Sequence, residues 1–205
     1  MNIEVKNTVK PIEYIKSMKI LEKRVKEVRE GKKNELLWIV EHNSVYTAGS
    51  SSSDKDIKSK KINIIKTNRG GKHTYHGPGQ KVVYFVLNLN KRGKDIRGLV
   101  RKLEICIIEI LNEFNIKSHA DRKNIGIWIK KNKEEEKIAA IGIRVKNWIA
   151  YHGFCINIEN DLKKYNYIVP CGIKDRGITS FKQLGIKNYK NINSIISKKF
   201  LNTFL

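Results

Sequence analysis

The stretch IGIWIKKNKEEEKIAAIGIRVKNWIAYHGFCINIE, residues 125–159, contains three apolar runs separated by polar segments. The runs at 125–130 and 137–145 flank the charged segment KNKEEE, which predicts a β-hairpin with that segment as its turn. The run at 148–159 alternates apolar and polar residues well enough to be a third strand of the same meander. A three-stranded antiparallel unit is therefore the first element of the predicted fold.

Helical patterns and further strands surround this meander. Apolar residues recur at spacings of three and four in the segments 14–28, 96–114 and 191–205. The apolar runs at 36–40 and 82–89 predict buried strands between the first two helices. The order helix, strands, helix, meander, helix predicts an α+β fold and disfavours a doubly wound nucleotide-binding sheet.

Length, composition and charge limit the function classes. The 205 residues, of which 40% are hydrophobic, suit a single domain, residues 1–205, with a sizeable core. The N-terminus has no apolar region behind a basic stub, and no apolar run reaches the roughly 18 residues of a membrane span. We therefore expect a cytoplasmic protein without a membrane partner. The net charge of +22 suits an acidic partner, but a bias towards Lys, Asn and Ile explains it equally well.

The segment TNRGGKHTYHGPGQ, residues 67–80, lies between two predicted strands and is rich in glycine and histidine. It lacks the phosphate-loop pattern and no helical pattern follows it, so we reject a phosphate cradle. Gly70 and Gly71 would let the backbone approach a ligand closely, and the turn at 77–79 could direct His76 inward. These residue types favour a binding site over a glycine-rich hairpin with exposed histidines.

The three cysteines lie in different contexts and include no CxxC pair. That arrangement argues against a disulfide framework and against a structural zinc site. Cys106 and Cys155 occupy apolar positions of a predicted helix and strand, so we expect both in the core. Cys171 lies between Pro170 and Gly172 in an irregular segment. Its thiol is therefore the candidate nucleophile, although a free cysteine is more often a small buried hydrophobe.

A nucleophilic cysteine needs a nearby base or cation, because an unassisted thiol is mostly protonated at neutral pH. The candidates are His76, His152 and Lys137, which opens the apolar strand KIAAIGIRV. Periodicity alone places Lys137 in the charged turn rather than in a site. A metal site formed by His73, His76 and Cys171 has no convincing carboxylate or second histidine pair, so we expect no metal.

Five blocks of the sequence together resemble the octanoyltransferases of lipoate biosynthesis, in the family's order and at its spacing. The blocks are EHNSVYTAG (41–49), RGGKHTYHGPGQ (69–80), KIAAIGIRV (137–145), YHGF (151–154) and PCGI (170–173). The resemblance implies a catalytic domain like those of biotin and lipoate protein ligases, with a mixed or antiparallel sheet flanked by helices. Two positions depart from the family pattern: Asn43–Ser44 replaces the usual Pro-Pro, and Glu136 replaces the usual Gly beside Lys137.

The resemblance also implies a reaction, the first step of endogenous protein lipoylation. An octanoyl group passes from octanoyl-acyl carrier protein to a cysteine, and then to a lysine amine of a lipoyl domain. The implied acceptors are the lipoyl domains of 2-oxoacid dehydrogenase complexes and the glycine cleavage H protein. A thioester donor is already activated, so no ATP or other cofactor is expected.

The family motifs assign roles to individual residues of this chain. Cys171 matches the acyl-accepting cysteine, and Lys137 matches the lysine that lowers the pKa of that cysteine. The residues that match the substrate-binding segments are Arg69, Gly70, Gly71, Lys72, His73, Thr74, Tyr75, His76, Ala140, Ile141, Gly142, Gly153, Phe154 and Cys155.

Three rival functions remain beside this one. An ATP-dependent lipoate protein ligase of the same fold would not need Cys171, so the PCGI block argues against it. A nucleic-acid-binding module is suggested by charge alone and requires exposed aromatic residues on a basic face. Most aromatics here fall at core positions, so we expect no nucleic acid partner. A cysteine hydrolase would form the same acyl-enzyme, and the sequence excludes it poorly.

Overall fold

A computed structural model describes residues 2–132, 134–169 and 176–205. Its strands, in chain order, are β1 (Ile3–Asn7), β2 (Glu35–Val40), β3 (Val45–Ala48), β4 (Ile64–Lys66), β5 (His73–His76), β6 (Gln80–Asn88), β7 (His119–Ala120), β8 (Ile127–Lys131), β9 (Glu134–Lys146), β10 (Ile149–Asn157) and β11 (Gly177–Ile178). Its α-helices are α1 (Tyr14–Arg29), α2 (Ile96–Asn112) and α3 (Ile192–Phe204). Short 3-10 helices cover Asp54–Asp56, Leu89–Lys91 and Leu162–Tyr167.

The described residues form one large mixed sheet and one small sheet. The large sheet has the order β1-β2-β6-β10-β9-β8-β7, and β11 adds to β9 in parallel. The small sheet has the order β4-β3-β5. Together with the flanking helices, this arrangement confirms the predicted α+β class with a mixed sheet.

The helices cover the two faces of the large sheet. On one face, called the α1 face, Leu21 of α1 packs with Trp38 and the other even-numbered residues of β2. The other face is called the α2–α3 face. There, Leu103 of α2 and Phe200 of α3 pack in one cluster with Leu37 and Ile39 of β2. Both faces of the central strands are therefore buried, which explains why β2 is apolar at almost every position.

The predicted meander is confirmed, but its first turn is shorter than expected. Strands β8, β9 and β10 pair antiparallel in sequence order. The acidic residues of KNKEEE were predicted to form the turn, yet Glu134 and Glu135 belong to β9 and pair with Lys131 and Lys130. Opposite charges directly across an antiparallel pair stabilise the sheet, so the strands extend to the tip of the hairpin.

Two parts of the sheet structure differ from the sequence prediction. Strand β1 precedes α1 and pairs in parallel with β2, which adds a βαβ unit at the N-terminus. Only its first residue, Ile3, is buried, and the alternation of Ile3 and Val5 is too short to predict a strand. The turn predicted at 77–79 is present, since the Gln80 N–H donates to the Gly77 carbonyl at 3.1 Å, but the sequence did not reveal that His73–His76 is strand β5, paired with β3. The backbone groups of β5 form their hydrogen bonds with β3, which is distant in sequence, so no local pattern predicts this strand.

No α-helix in the described part of the chain is long and apolar enough to span a bilayer. Nearly all large aromatic side chains that the structure describes are buried, as predicted. Trp148 and Tyr167 are the ones that remain more than a third exposed.

Candidate active site

A cavity of about 350 Å³ lies against the large sheet, and the α1-face residues Val82, Tyr84, Ala140 and Cys155 are among those that line it. Its floor consists of small residues on β9 and β10, where Ala140 pairs with Cys155 and Gly142 pairs with Gly153. The buried ring of Tyr84 on β6 continues this floor opposite Gly153. Because residues paired across neighbouring strands share a face, the part of the floor formed by β9 and β10 is a trough without large side chains. Such a trough suits an elongated apolar group.

The glycine-rich segment covers the cavity from the side opposite the sheet. The Gly70 N–H donates a hydrogen bond to the Ile143 carbonyl at 3.0 Å, which holds the segment against β9. A Cβ on Gly70 would lie 2.8 Å from that same oxygen, so only glycine permits this contact. The sequence predicted that Gly70 would let the backbone approach a ligand; the close approach seen at Gly70 is to the sheet itself.

Arg69 places a buried guanidinium at the cavity wall. It donates hydrogen bonds to the Thr47 carbonyl at 2.9 Å, to the Thr47 hydroxyl at 2.8 Å and to the Gly70 carbonyl at 2.9 Å. These bonds fix the side chain between the small sheet and the glycine-rich segment. Its positive charge acts on the neighbouring histidines.

Two cavity histidines are held in the neutral form. Burial, assisted by nearby cations, lowers the pKa of His76 and of His152 to about 3. For His76 the further causes are His42 and Arg69, and for His152 they are Arg69 and Arg144. A neutral imidazole cannot supply the cation that a thiolate needs. His76 and His152, both candidates from the sequence, are therefore disfavoured for that role.

The hydrogen bonds of His76 also indicate a structural position. Its Nδ1 donates to the Gln80 Oε1 at 2.6 Å, and Gln80 in turn donates to Asn157 and to the Tyr165 hydroxyl. The imidazole ring stacks on Tyr14 with a centroid distance of 6.2 Å. This buried network links β5, β6 and β10 at one end of the cavity.

Lys137 lies inside the protein and lines the same cavity. The residue is 6% exposed, and its Nζ donates to the Ile125 carbonyl at 3.1 Å. The same Nζ lies 4.6 Å from the centre of the Trp128 ring, a favourable cation–π contact. The interpretation of Lys137 as part of a charged turn is therefore wrong. It is a buried cation on β9.

A β-bulge accounts for the direction of the Lys137 side chain. Ile127 pairs with Ala139 and Trp128 pairs with Lys137, so Ile138 is an extra residue on β9. Regular alternation would place Lys137 on the α2–α3 face together with Ala139. The extra residue moves it to the cavity face instead, together with Ala140. Glu136 lies next to Lys137 in the strand, so its side chain points to the opposite face.

Cys171, the predicted nucleophile, lies outside the described residues. The chain that follows it returns to Lys137, because Ile178 of β11 pairs with Lys137. The guanidinium of Arg176 lies 4.7 Å from the centre of the same Trp128 ring that Lys137 contacts. Arg176 is held there by ion pairs with Asp121 at 2.7 Å and with Glu135 at 2.9 Å.

The structure brings most of the predicted site residues together. Those that line the cavity are Arg69, Gly70, Gly71, Lys72, His73, Thr74, His76, Lys137, Ala140, Ile141, Gly142, Gly153, Phe154 and Cys155. Tyr75 is separate, since its ring packs with Tyr46 and Tyr165 beneath the small sheet. Strand alternation explains the difference, because Tyr75 lies between two residues that face the cavity.

Sequence reasoning missed two aromatic walls of the cavity. Tyr14 and Tyr84 both line it, and both are buried. The Tyr84 hydroxyl donates to Nε2 of His42 at 2.7 Å, and Nδ1 of His42 donates to the Ile12 carbonyl at 2.8 Å. In the sequence, both tyrosines occupy apolar positions of a predicted helix or strand, a pattern that predicts burial in the core but not a place in a binding site. Among the described residues, no group of His, Cys, Asp or Glu is arranged to hold a metal ion.

A family comparison agrees with this geometry. Residues 13–200 match the family model described as the lipoyl protein ligase A/B catalytic domain. The chain belongs to this family. The resemblance to octanoyltransferases noted in the sequence is confirmed by relatives of that name.

Relatives within the lipoyl protein ligase A/B catalytic domain family give closer comparisons. The octanoyltransferase of Wolbachia sp. subsp. Brugia malayi (strain TRS) is 44% identical over 195 residues, which cover 94% of this chain and 95% of that protein. The octanoyltransferase of Ehrlichia canis (strain Jake) is 43% identical over 205 residues, or 98% of this chain and 96% of that protein.

Solved structures of lipoate protein ligases share the fold. A bipartite lipoate protein ligase from Thermoplasma acidophilum superposes with a TM-score of 0.72 at 12% identity, covering 98% of this chain and 84% of that one. Lipoate-protein ligase A bound with ATP gives a TM-score of 0.71 at 12% identity, covering 98% and 85%. At this identity the likeness establishes the fold alone.

Proposed function

We propose that this protein transfers an octanoyl group from octanoyl-acyl carrier protein to a lysine of a lipoyl domain, through a thioester on Cys171. The substrate-binding residues are those that line the cavity, and Lys137 is the cation that activates the thiol. The acceptors would be lipoyl domains of 2-oxoacid dehydrogenase complexes and the glycine cleavage H protein. The reaction needs no ATP, because the donor is already a thioester.

Each chemical step has a defined balance. The Cys171 thiolate attacks the carbonyl carbon of the donor thioester, and the carrier thiol leaves and takes up a proton. The acceptor lysine, as a neutral amine, then attacks the acyl-enzyme, an amide forms and the Cys171 thiol is released. Lys137 stabilises the thiolate in the first step and exchanges protons with the thiol and the amine. Dividing the transfer into two steps means that the two proteins need not bind together.

The single observation that carries this proposal is the buried Lys137 ammonium. It opens on a cavity with a glycine and alanine floor, and it pairs with β11, the strand that follows Cys171 in the chain. A buried cation beside a thiol favours the thiolate form. The cavity therefore combines a charge that suits a nucleophilic cysteine with a trough that suits an alkyl chain.

The rival functions are less consistent with these observations. The relatives above 40% identity are octanoyltransferases, whereas the lipoate protein ligases resemble this chain only in fold. A nucleic-acid-binding module would present aromatic side chains to solvent on a basic face, and most described aromatics are buried here.

The test is to incubate the protein with octanoyl-acyl carrier protein, with and without a lipoyl domain and without ATP. The protein alone should gain the mass of one octanoyl group, removable by hydroxylamine and mapped to Cys171. Adding the lipoyl domain should move the group to a lysine amide. Release of free octanoate without amide formation would indicate a hydrolase instead.

Cysteine variants provide the matched control. Cys171→Ser should abolish turnover, because a serine hydroxyl is a far poorer nucleophile than a thiolate. Cys106→Ser should retain it, since burial raises the pKa of the Cys106 thiol to about 12 and keeps it an inert core group. An octanoyl group mapped to another residue, or full turnover by Cys171→Ser, would refute the mechanism.

A further inference from the structure

His152 adopts a backbone conformation that side-chain-bearing residues rarely take. Its φ is +66°, although it lies within β10 and pairs with Ile143 and Phe85 on either side. Strained conformations of this kind persist where the surroundings impose them, and they are concentrated at functional sites. The consequence is visible in the direction of the imidazole ring.

The unusual conformation turns the ring to the cavity face. Regular alternation would place His152 on the α2–α3 face with Ala150 and Phe154. Instead its ring stacks on that of Tyr151, an α1-face residue, with a centroid distance of 4.8 Å and an interplanar angle of 21°. His152 thus lines the same cavity as Lys137.

The hydrogen bonds of the ring leave one nitrogen available. Nε2–H donates to Oδ1 of Asn68 at 2.6 Å, which fixes the tautomer and leaves Nδ1 as an acceptor. Nδ1 is buried and accepts no hydrogen bond from any residue in the described ranges. A buried acceptor without a partner is costly, so its retention at a cavity wall points to a ligand donor.

The charges around the ring select the kind of donor. Arg69 and Arg144 both oppose protonation of His152, and Lys137 shares the cavity. A second ammonium ion would be repelled by these cations, whereas a neutral N–H would not. The octanoyl chain has no donor of its own. The arm that carries it does, since pantetheine contains secondary amides.

We propose that Nδ1 of His152 accepts a hydrogen bond from the secondary amide N–H nearest the thioester of the donor's pantetheine arm. This inference rests on the proposed function and adds a residue that recognises the carrier arm rather than the acyl chain. The bond would orient the thioester carbonyl over the cavity floor. Asn68 is a positioning residue, because it fixes the ring through Nε2.

The test compares donors that share the octanoyl group and differ in the arm. The probes are S-octanoyl-pantetheine, S-octanoyl-N-acetylcysteamine and S-ethyl thiooctanoate, of which the last has no amide. His152→Asn is the variant of choice because asparagine tolerates positive φ. It should lower kcat/KM about tenfold for the two amide donors, the equivalent of about 1.4 kcal/mol, and by a clearly smaller factor for S-ethyl thiooctanoate, which has no amide N–H to donate. The three donors release different thiols and so differ in intrinsic reactivity. Comparing the ratio of kcat/KM between variant and wild type for each donor removes this difference.

Val82→Ala is the matched control, since Val82 lines the same cavity with an apolar side chain. It should lower kcat/KM by a similar factor for all three donors, because it contacts the part they share. Circular dichroism and a thermal melt establish that both variants are folded. Equal losses of His152→Asn on all donors, or no loss on any, would overturn the inference. Failure of the wild-type protein to take an octanoyl group from any donor would instead refute the proposed function.

Discussion

Acidification should destabilise this protein well above the pH at which its carboxylates titrate. Burial lowers the pKa of His76 and His152 to about 3, whereas an unfolded histidine titrates near 6.5. Below about pH 6.5 the unfolded chain therefore binds protons that the folded protein excludes. The folded state has its full stability above that pH and loses it progressively as the pH falls towards 3.

The size of the effect follows from these two pKa values. Each histidine should lower the free energy of unfolding by about 1.4 kcal/mol per pH unit within this window, or by about 2 kcal/mol between pH 6.5 and pH 5. The two together should cost about 4 kcal/mol at pH 5, a large share of the 5–15 kcal/mol typical of a folded domain. His42 and His73, whose pKa values burial also lowers, add to the loss.

Urea unfolding followed by circular dichroism at about pH 7, 6 and 5 measures this loss. His152→Asn removes one titrating ring, so its free energy of unfolding should fall with pH by about 2 kcal/mol less than that of the wild type. Val82→Ala, a buried apolar truncation, should lower stability equally at every pH and leave the slope unchanged. An unchanged slope for His152→Asn would refute the claim that its ring is held neutral.

Two further predictions concern the thiol and the carrier. Lys137→Ala should slow alkylation of Cys171 at neutral pH by raising the pKa of its thiol, with little loss of fold, and an unaltered pH profile of alkylation would remove Lys137 from the mechanism. Exposed charges are screened beyond about 10 Å at about 0.1 M salt. The KM for octanoyl-acyl carrier protein should therefore rise with ionic strength while that for S-octanoyl-pantetheine stays nearly constant, and parallel responses would mean that the positive charge is compositional.

The sequence by itself predicted the elements whose apolar patterns are long and regular. The three helices and the β8–β9–β10 meander follow from periodicity, because each buries a continuous face against one core. The family resemblance rests on five short blocks that are separated from one another in the sequence. These blocks identified the part of the cavity lining formed by the glycine-rich segment, β9 and β10, but they missed Tyr14 and Tyr84 and could not separate Tyr75 from its cavity-facing neighbours.

Two strands with little or no apolar pattern of their own were not predicted from the sequence. Strand β1 has one buried residue, and β5 depends on its pairing with β3. Their hydrogen-bond partners lie in distant parts of the chain, so no local pattern reports them.

The direction of the two most informative side chains was decided only by the tertiary structure. Alternation in the sequence assigns Lys137 and His152 to the α2–α3 face. The extra residue Ile138 turns the Lys137 side chain to the cavity face instead, and the positive φ of His152 does the same for its imidazole ring. Alternation of side chains predicts which face of the sheet a residue occupies only while the strand is regular. Where a bulge or an unusual φ interrupts a strand depends on its pairing with neighbouring strands, which the sequence pattern does not show.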